Sequence, residues 1–221
     1  MKYLFLLLSI NVCFAKPQIS IGVFQAKPFA YSEGEHAKGI VPDFLNKMLS
    51  SEFDIKFKVL PYIRAIDAIK SDRVDMIIMY PNDKIKDGVL KGCLTLGNDN
   101  LIVTNKTKKN DNTLALIRGA NYGVEISKEF KRVGVVDYEQ SFKLIKAQRV
   151  SNIMISSAAW HFYKSQLNSK NYNVTVVNFV QNMLYFRKNF DKNLKEKICK
   201  LNNRILKKYP TKKFDDFMQD L

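Results

Sequence analysis

One stretch decides the fold: Ile69-Lys70-Ser71-Asp72-Arg73-Val74-Asp75-Met76-Ile77-Ile78-Met79. A looser copy begins 76 residues later: Ile145-Lys146-Ala147-Gln148-Arg149-Val150-Ser151-Asn152-Ile153-Met154-Ile155. In each copy, apolar residues at helical spacing precede a basic turn and a short apolar run, a pattern typical of a helix that leads into a buried strand. Two such units predict two similar α/β lobes. Ligand pockets favour domain interfaces and the C-terminal ends of strands, so the cleft between the lobes is the predicted binding site.

The first 15 residues predict a secretory signal peptide. Lys2 precedes a leucine-rich core at 4–8, and the small residue Ala15 ends the segment. Cys13 follows Val12 instead of the small residue that lipid-modified signals usually carry. We therefore expect cleavage after residue 15 and export of the mature chain to the periplasm. No other apolar run approaches the roughly 20 residues that a membrane-spanning helix needs.

The remaining residues suffice for two lobes that each bury a core, and the 46% hydrophobic content indicates an ordered globular chain. Cys93 and Cys199 are the cysteines left after the signal. In an oxidising compartment they could form a disulfide, or they could remain two separate buried thiols. The distance between their Cα atoms decides between these alternatives, and the sequence does not supply it.

Lys and Arg total 36 against 21 Asp and Glu, which gives a formal net charge of +15. Such a balance raises nucleic acid as a partner. The lysines, however, are spread along the chain, and those between 192 and 208 fall on the solvated side of one predicted helix. An exported protein also rarely meets nucleic acid. We predict no nucleic-acid partner.

Residues 80–100 contain Gly88, Gly92 and Gly97 with several Asn and Asp, which predicts an irregular connection before a strand resumes at Leu101. A second crossing is predicted at 178–183, between a strand at 174–177 and another at 184–187. Two crossings imply a hinge of two strands that lets the lobes open and close.

The predicted organisation is a first part of lobe 1 at 16–100, lobe 2 at 101–180, and a return to lobe 1 with C-terminal helices at 181–221. Near the start of lobe 2, Arg118-Gly119-Ala120-Asn121-Tyr122-Gly123 is a glycine-bracketed turn that predicts a following helix. Arg118 would then lie beside a helix N-terminus, which favours anions. The alternative is a solvent-exposed loop arginine.

The order of these elements resembles the bacterial extracellular solute-binding proteins of family 3. The resemblance rests on Gly39-Ile40-Val41-Pro42-Asp43-Phe44, on Arg73-Val74-Asp75 before an apolar strand, and on the glycine turn. It implies a two-lobed periplasmic-binding-protein fold of type II, with mixed, mainly parallel sheets flanked by helices. It also implies a monomer without cofactor that captures a small-molecule solute, with an ABC-type permease as partner. Pro61-Tyr62-Ile63-Arg64-Ala65 and the Arg118 turn look like a branch whose ligands are mostly unassigned.

Two departures from the family pattern bear on the ligand. Amino-acid-binding members keep an Arg after the strand that ends here at Met79, where it clamps the ligand carboxylate. This chain has Tyr80-Pro81-Asn82-Asp83-Lys84-Ile85-Lys86, whose lysines lack the planar fork. Those members also keep an acid for the ligand amine where this chain has Ser156 and Ser157. We predict a small polar or anionic solute and not an ordinary α-amino acid.

The candidate ligand-binding residues fall into three kinds. Apolar walls are expected from Phe24, Phe29, Tyr31, Tyr62, Tyr80 and Tyr122. Arg64 and Arg118 could meet an anionic group, and Asp43, Asn121, Ser156 and Ser157 could orient polar groups. Each has a structural alternative: Phe29 and Tyr62 could be core, Arg64 could pair with Asp67, and Asp43 could be a helix-start charge.

The sequence carries no nucleophile elbow and no phosphate-binding or dinucleotide loop. Neither His36 nor His161 has a metal-ligand partner at helical spacing, so we predict no metal site. One enzymatic alternative is a dehydratase on the same fold, with Glu125 as the general acid. Another alternative is a module that reports ligand occupancy to a membrane partner.

Overall fold

The computed structural model describes residues 15–82, 85, 87–109 and 111–221. The predicted signal peptide lies almost entirely outside the described residues. The strands are β1 (Gln18–Phe24), β2 (Tyr31–Glu33), β3 (His36–Lys38), β4 (Asp54–Leu60), β5 (Met76–Met79), β6 (Val89–Asn105), β7 (Thr113–Ile117), β8 (Lys131–Val135), β9 (Asn152–Ser156) and β10 (Tyr172–Arg187). The helices are α1 (Ile40–Leu49), α2 (Tyr62–Lys70), α3 (Tyr138–Lys146), α4 (Ser157–Tyr163), α5 (Lys192–Leu206) and α6 (Phe214–Met218).

Two long strands connect the two lobes. The strand order is β4-β1-β5-β10-β6-β9-β7-β8. β1 runs parallel to β4 and β5 in lobe 1, and β7 runs parallel to β8 and β9 in lobe 2. β6 and β10 pair antiparallel along most of their length, so that one end of each lies in each lobe. The predicted two-lobed α/β fold with a two-strand hinge is confirmed, whereas the exact lobe boundaries remain a prediction.

The two repeated units fold as predicted, α2 into β5 and α3 into β9. The turns between helix and strand also match in backbone conformation. Asp72 and Gln148 hold equivalent positions, with φ of 53° and 54°. After each, the next N–H donates at 2.9 Å to a carbonyl five residues earlier, Arg73 to Ala68 and Arg149 to Leu144. This left-handed turn closes the helix and aims the chain into the sheet.

The predicted irregular connection at 80–100 is wrong in its second half, because β6 already begins at Val89. The strands predicted at 174–177 and 184–187 are likewise one strand, β10, with register shifts near residues 177 and 182. The prediction of an irregular connection at 80–100 rested on its glycines, which have a different role in the structure. A Cβ built on Gly97 would lie 2.2 Å from the Val180 carbonyl oxygen, so this glycine permits a close approach of the hinge strands.

The helix predicted after Gly123 is also wrong. Residues 118–130 form turns and bends, and β8 begins at Lys131. Gly119 and Gly123 have φ of 75° and 68°, which explains the glycines without a helix. Arg118 therefore does not lie beside a helix N-terminus.

Cys93 of β6 and Cys199 of α5 form a disulfide, with Cα atoms 5.8 Å apart. The bond resolves the alternative that the sequence left open. It links helix α5 covalently to the lobe 1 end of the hinge strand β6. None of the helices in the described part of the chain combines the length and apolarity needed to cross a membrane.

Candidate ligand site between the lobes

A cavity lies where both lobes meet the hinge strands. Its volume, measured as the space open to the centre of a water molecule, is about 70 Å³. One water needs roughly 10–15 Å³ on that measure, so several waters or a small solute would fit. The lining consists of Phe24, Phe29, Val41, Tyr62, Ile78, Met79, Tyr80, Asn98, Ile117, Ala120, Tyr122, Tyr138, Asn182 and Phe214. We call this space the aromatic cavity, because seven of these side chains are aromatic.

The four tyrosine hydroxyls of the aromatic cavity are all hydrogen-bonded. Tyr62 accepts from the Asn82 amide at 3.0 Å, and Tyr122 accepts from the Ile117 N–H at 2.9 Å. Tyr80 donates to Asn100 Oδ1 at 3.2 Å, and Ser156 hydrogen-bonds to Tyr138. Burial raises the pKa of each of these tyrosines, that of Tyr138 to about 12. All four are therefore neutral at physiological pH.

Two asparagines bring amide groups from the hinge strands to the cavity wall. Asn98 of β6 is 3% exposed, and Asn182 of β10 is 9% exposed. Asn182 Nδ2 donates to the Leu96 carbonyl at 2.8 Å and supports the hinge. Asn98 Oδ1 is buried and has no hydrogen-bond partner among the described residues. Buried polar atoms without a partner are uncommon, so this oxygen marks a position where a ligand group could bind.

Two hydrogen bonds join the lobes. Asn121 Nδ2 of lobe 2 donates to the Pro81 carbonyl of lobe 1 at 2.7 Å. Ser157 at the start of α4 donates to the Asp215 carboxylate of α6. Opening the cleft would break both hydrogen bonds. The structure is thus that of two lobes in contact beside a small, partly open cavity.

Of the candidate residues predicted from the sequence, the structure brings five to the aromatic cavity: Phe24, Phe29, Tyr62, Tyr80 and Tyr122. Asn121 and Ser157 join the lobes instead, and Ser156 caps α4 by accepting from the Ala159 N–H. Tyr31, Asp43 and Arg64 do not line the cavity; Asp43 and Arg64 are exposed on α1 and α2. Lys84 and Lys86 lie outside the described residues.

Arg118 does not reach the aromatic cavity. Its Nε donates to the Gly134 carbonyl at 3.2 Å, and its side chain lies across Gly134 on the surface of lobe 2. There it lines an open hollow of about 570 Å³ together with Glu125 and Arg132. Glu125, the candidate acid of the enzymatic alternative, is exposed in this hollow. Neither residue lines the aromatic cavity, although the hollow adjoins that cavity and shares Ile117, Ala120 and Tyr122 with it.

Several residues that line the aromatic cavity were not predicted from the sequence. Asn98 and Asn182 fell in segments read as polar connections, although both lie on hinge strands. Tyr138 and Phe214 were not among the predicted ligand-binding residues, although both line the cavity. Residues 95–98 of β6 are all buried, so no alternation along the strand marks Asn98 in the sequence. Among the described residues, no cluster of His, Cys, Asp or Glu is placed to hold a metal ion.

Solved structures with the same architecture are binding proteins. An ancestral arginine-binding protein bound to arginine matches with a TM-score of 0.74 and 18% identity, over 93% of this chain and 98% of its own. The truncated, arginine-bound ArgBP of T. maritima matches with a TM-score of 0.70 and 16% identity, over 85% and 96%. An arginine-specific periplasmic binding protein of Salmonella typhimurium matches with a TM-score of 0.70 and 16% identity, over 89% and 96%. No protein-family model and no curated protein matches the sequence.

Identities this low show the fold alone. The chain has the two-lobed fold of periplasmic solute-binding proteins. Ser156 and Ser157, which were expected to orient polar groups of a ligand, do not line the aromatic cavity.

Proposed function

We propose that this protein is a periplasmic solute-binding protein that captures a small polar solute between its lobes and delivers it to an ABC-type permease. The observation that carries the proposal is the aromatic cavity, to which lobe 1, lobe 2 and both hinge strands contribute side chains. A solute held there would stabilise the closed arrangement of the lobes, which is how a binder of this fold signals occupancy.

Of the two kinds of solute expected from the sequence, the site favours the polar kind over the anionic kind. Among the described residues, the side chains that line the aromatic cavity carry no charge. The amides of Asn98 and Asn182 supply polarity without charge. Arg118, the leading candidate for an anion contact, lines the neighbouring hollow and not the aromatic cavity itself.

Export is part of the proposal. The disulfide between Cys93 and Cys199 supports an oxidising compartment, since such bonds persist outside the cytoplasm. It agrees with cleavage of a signal peptide after residue 15. We propose a monomer, as the resemblance to the solute-binding proteins implies.

Thermal-shift screening of the purified mature protein against a library of small solutes tests the function. A solute present at 100 times its Kd should stabilise the protein by about 2.7 kcal/mol and raise its Tm. Native mass spectrometry of protein taken from its own periplasm should show a bound small molecule.

A variant with a filled cavity provides the control. Ala120→Phe should remove the shift, because Ala120 lines the aromatic cavity. Ala147→Phe makes the same change at an exposed position of the same lobe and should keep the shift. A hit that Ala120→Phe binds as well as the unchanged protein would contradict the proposal.

A further inference from the structure

The orientation of the Asn98 amide is fixed by a chain of hydrogen bonds along the hinge. Asn100 Nδ2 donates to the Tyr122 carbonyl at 2.9 Å and to Asn178 Oδ1 at 3.0 Å. Asn100 Oδ1 is therefore the end that accepts from the Tyr80 hydroxyl, at 3.2 Å. A hydrogen bond from Asn98 acts to lower the pKa of the Tyr80 hydroxyl, which makes the Asn98 N–H the donor. Asn98 Oδ1 is buried and has no partner among the described residues, so it is the free end of the amide.

Asn98 shares the wall of the cavity with aromatic rings. Phe24 and Tyr62 meet edge to face, with centroids 5.2 Å apart, and both line the cavity. Phe29 contacts Phe214 at 6.0 Å and Tyr138 of lobe 2 at 6.1 Å. Such walls suit a flat apolar body, because ring pairs prefer edge-to-face and offset arrangements at these distances.

A charged solute suits this lining poorly. The described lining residues carry no charge, and the four tyrosines are held neutral. An ion moved from water into an enclosed apolar site without a partner loses its hydration without compensation. A neutral donor, by contrast, gains the one acceptor that the protein leaves unpaired. A quaternary ammonium ion could use the ring faces but would leave Asn98 Oδ1 unsatisfied.

The geometry points to a ligand class: a small, uncharged aromatic molecule that carries one N–H or O–H donor, bound with its ring among the cavity aromatics and its donor on Asn98 Oδ1. This inference rests on the proposed function and names its substrate class. Asn98 is the specificity-determining residue, and Tyr80 positions it through the hinge network.

Indole and benzofuran form a matched pair of probes, since they have nearly the same shape and only indole has an N–H. Calorimetry on the unchanged mature protein should show indole binding about tenfold more tightly, which corresponds to about 1.4 kcal/mol. This comparison needs no variant, so it holds whether or not a substituted protein folds. Equal affinities for the two probes would overturn the inference.

Substituting each of the two hinge asparagines tests which amide accepts the hydrogen bond from indole. Asn98→Leu removes the acceptor and should reduce the preference for indole to less than about twofold. Asn182→Leu changes the same wall, but the Asn182 amide already donates to Leu96, so the tenfold preference should persist. A preference that survives Asn98→Leu would assign the donor to another group and overturn the role of Asn98.

L-Tryptophan and benzoate separate this inference from the function on which it rests. Both carry aromatic rings with ionic groups, and neither should raise the Tm. If these or L-arginine bind while indole and phenol do not, the protein remains a solute-binding protein and the proposed ligand class is wrong. If no solute of any class binds, the proposed function itself fails.

Discussion

The two repeated units have the same backbone conformation at their turns and differ in the position of their acidic residue. In lobe 1, Asp75 of the repeat accepts from the N–H and the hydroxyl of Ser20 on β1, at 2.8 and 2.7 Å. In lobe 2, the matching residue is Ser151, whose hydroxyl donates at 2.7 Å to Asp111, just before β7. Each lobe thus joins its first strand to its repeat strand through a serine and an acid, with the two residue types exchanged.

The basic partners of the two acids extend the comparison. Asp75 pairs with Arg187 Nε at 2.8 Å, at the lobe 1 end of β10. Asp111 pairs with Lys108, which follows the lobe 2 end of β6. Each acid therefore anchors the outer end of one hinge strand. The replacement of Asp75 by Ser151 in the second copy is a relocation of the acid and not the loss of a ligand contact.

The disulfide is the largest difference between the lobes, and its removal should have the largest effect. Lobe 1 carries the bond between Cys93 and Cys199, and no disulfide is found in the described part of lobe 2. The double variant Cys93→Ser, Cys199→Ser should lose about 2–5 kcal/mol of unfolding free energy, as measured by urea denaturation. Hydrogen exchange should show the loss mainly in lobe 1, and equal loosening of β7 to β9 would contradict this expectation.

Removing each acid tests whether the two serine–acid pairs are equivalent. Asp75→Asn should cost about 2 kcal/mol, because it weakens three hydrogen bonds to a carboxylate that is only 24% exposed and leaves Arg187 without its ion pair. Asp111→Asn should cost less, since that carboxylate is 41% exposed and water can replace its partners. Equal losses in urea titrations of the two variants would refute this ranking.

Both serine–acid pairs should contribute less stability at low pH, because the pKa of each aspartate is lowered in the folded protein. Burial alone would raise the pKa of Asp75, but the hydrogen bonds from Ser20 and Arg187 outweigh it and lower the pKa. Hydrogen bonds from Lys108 and Thr113 also lower the pKa of Asp111. Both contributions to stability are present above the unfolded Asp pKa of about 3.9 and are lost as the pH falls further.

Stability measured between pH 6 and pH 2, about the range over which an aspartate titrates, provides the check. The unchanged protein should lose unfolding free energy below about pH 4. Asp75→Asn should lose less over the same interval, since it lacks one of the titrating groups. A variant curve parallel to that of the unchanged protein would show that Asp75 titrates normally.

The smallest expected effect concerns the contact between the lobes. Ser157→Ala removes the donor to Asp215 and should shift the ligand-free protein toward an open arrangement by about 1 kcal/mol. Small-angle X-ray scattering should report a larger radius of gyration. Ser141→Ala is the control, because that hydroxyl contacts Asp137 within lobe 2. An unchanged radius in Ser157→Ala would mean that this hydrogen bond does not hold the lobes together.

Local patterns made much of this architecture predictable. The helices and strands of the repeats follow from short-range periodicity, and five cavity aromatics were found because they flank predicted strand ends. A two-strand hinge was predicted, but the length of its strands was not, and in β6 the reason is that the signal that glycine gives is ambiguous. Gly97 looked like a turn residue, whereas it allows two strands to approach closely.

The sequence by itself determined the two repeated units, the two-lobed class and the departure from the family's amino-acid clamp, because each depends on residues close together in the chain. Only the tertiary structure decided the site. The aromatic cavity joins residues from Phe24 to Phe214, and the free end of Asn98 depends on hydrogen bonds from both hinge strands. Contacts between residues so far apart in the chain leave no periodicity in the sequence. The orientation of the Arg118 side chain and the pairing of Cys93 with Cys199 are therefore seen only in the tertiary structure.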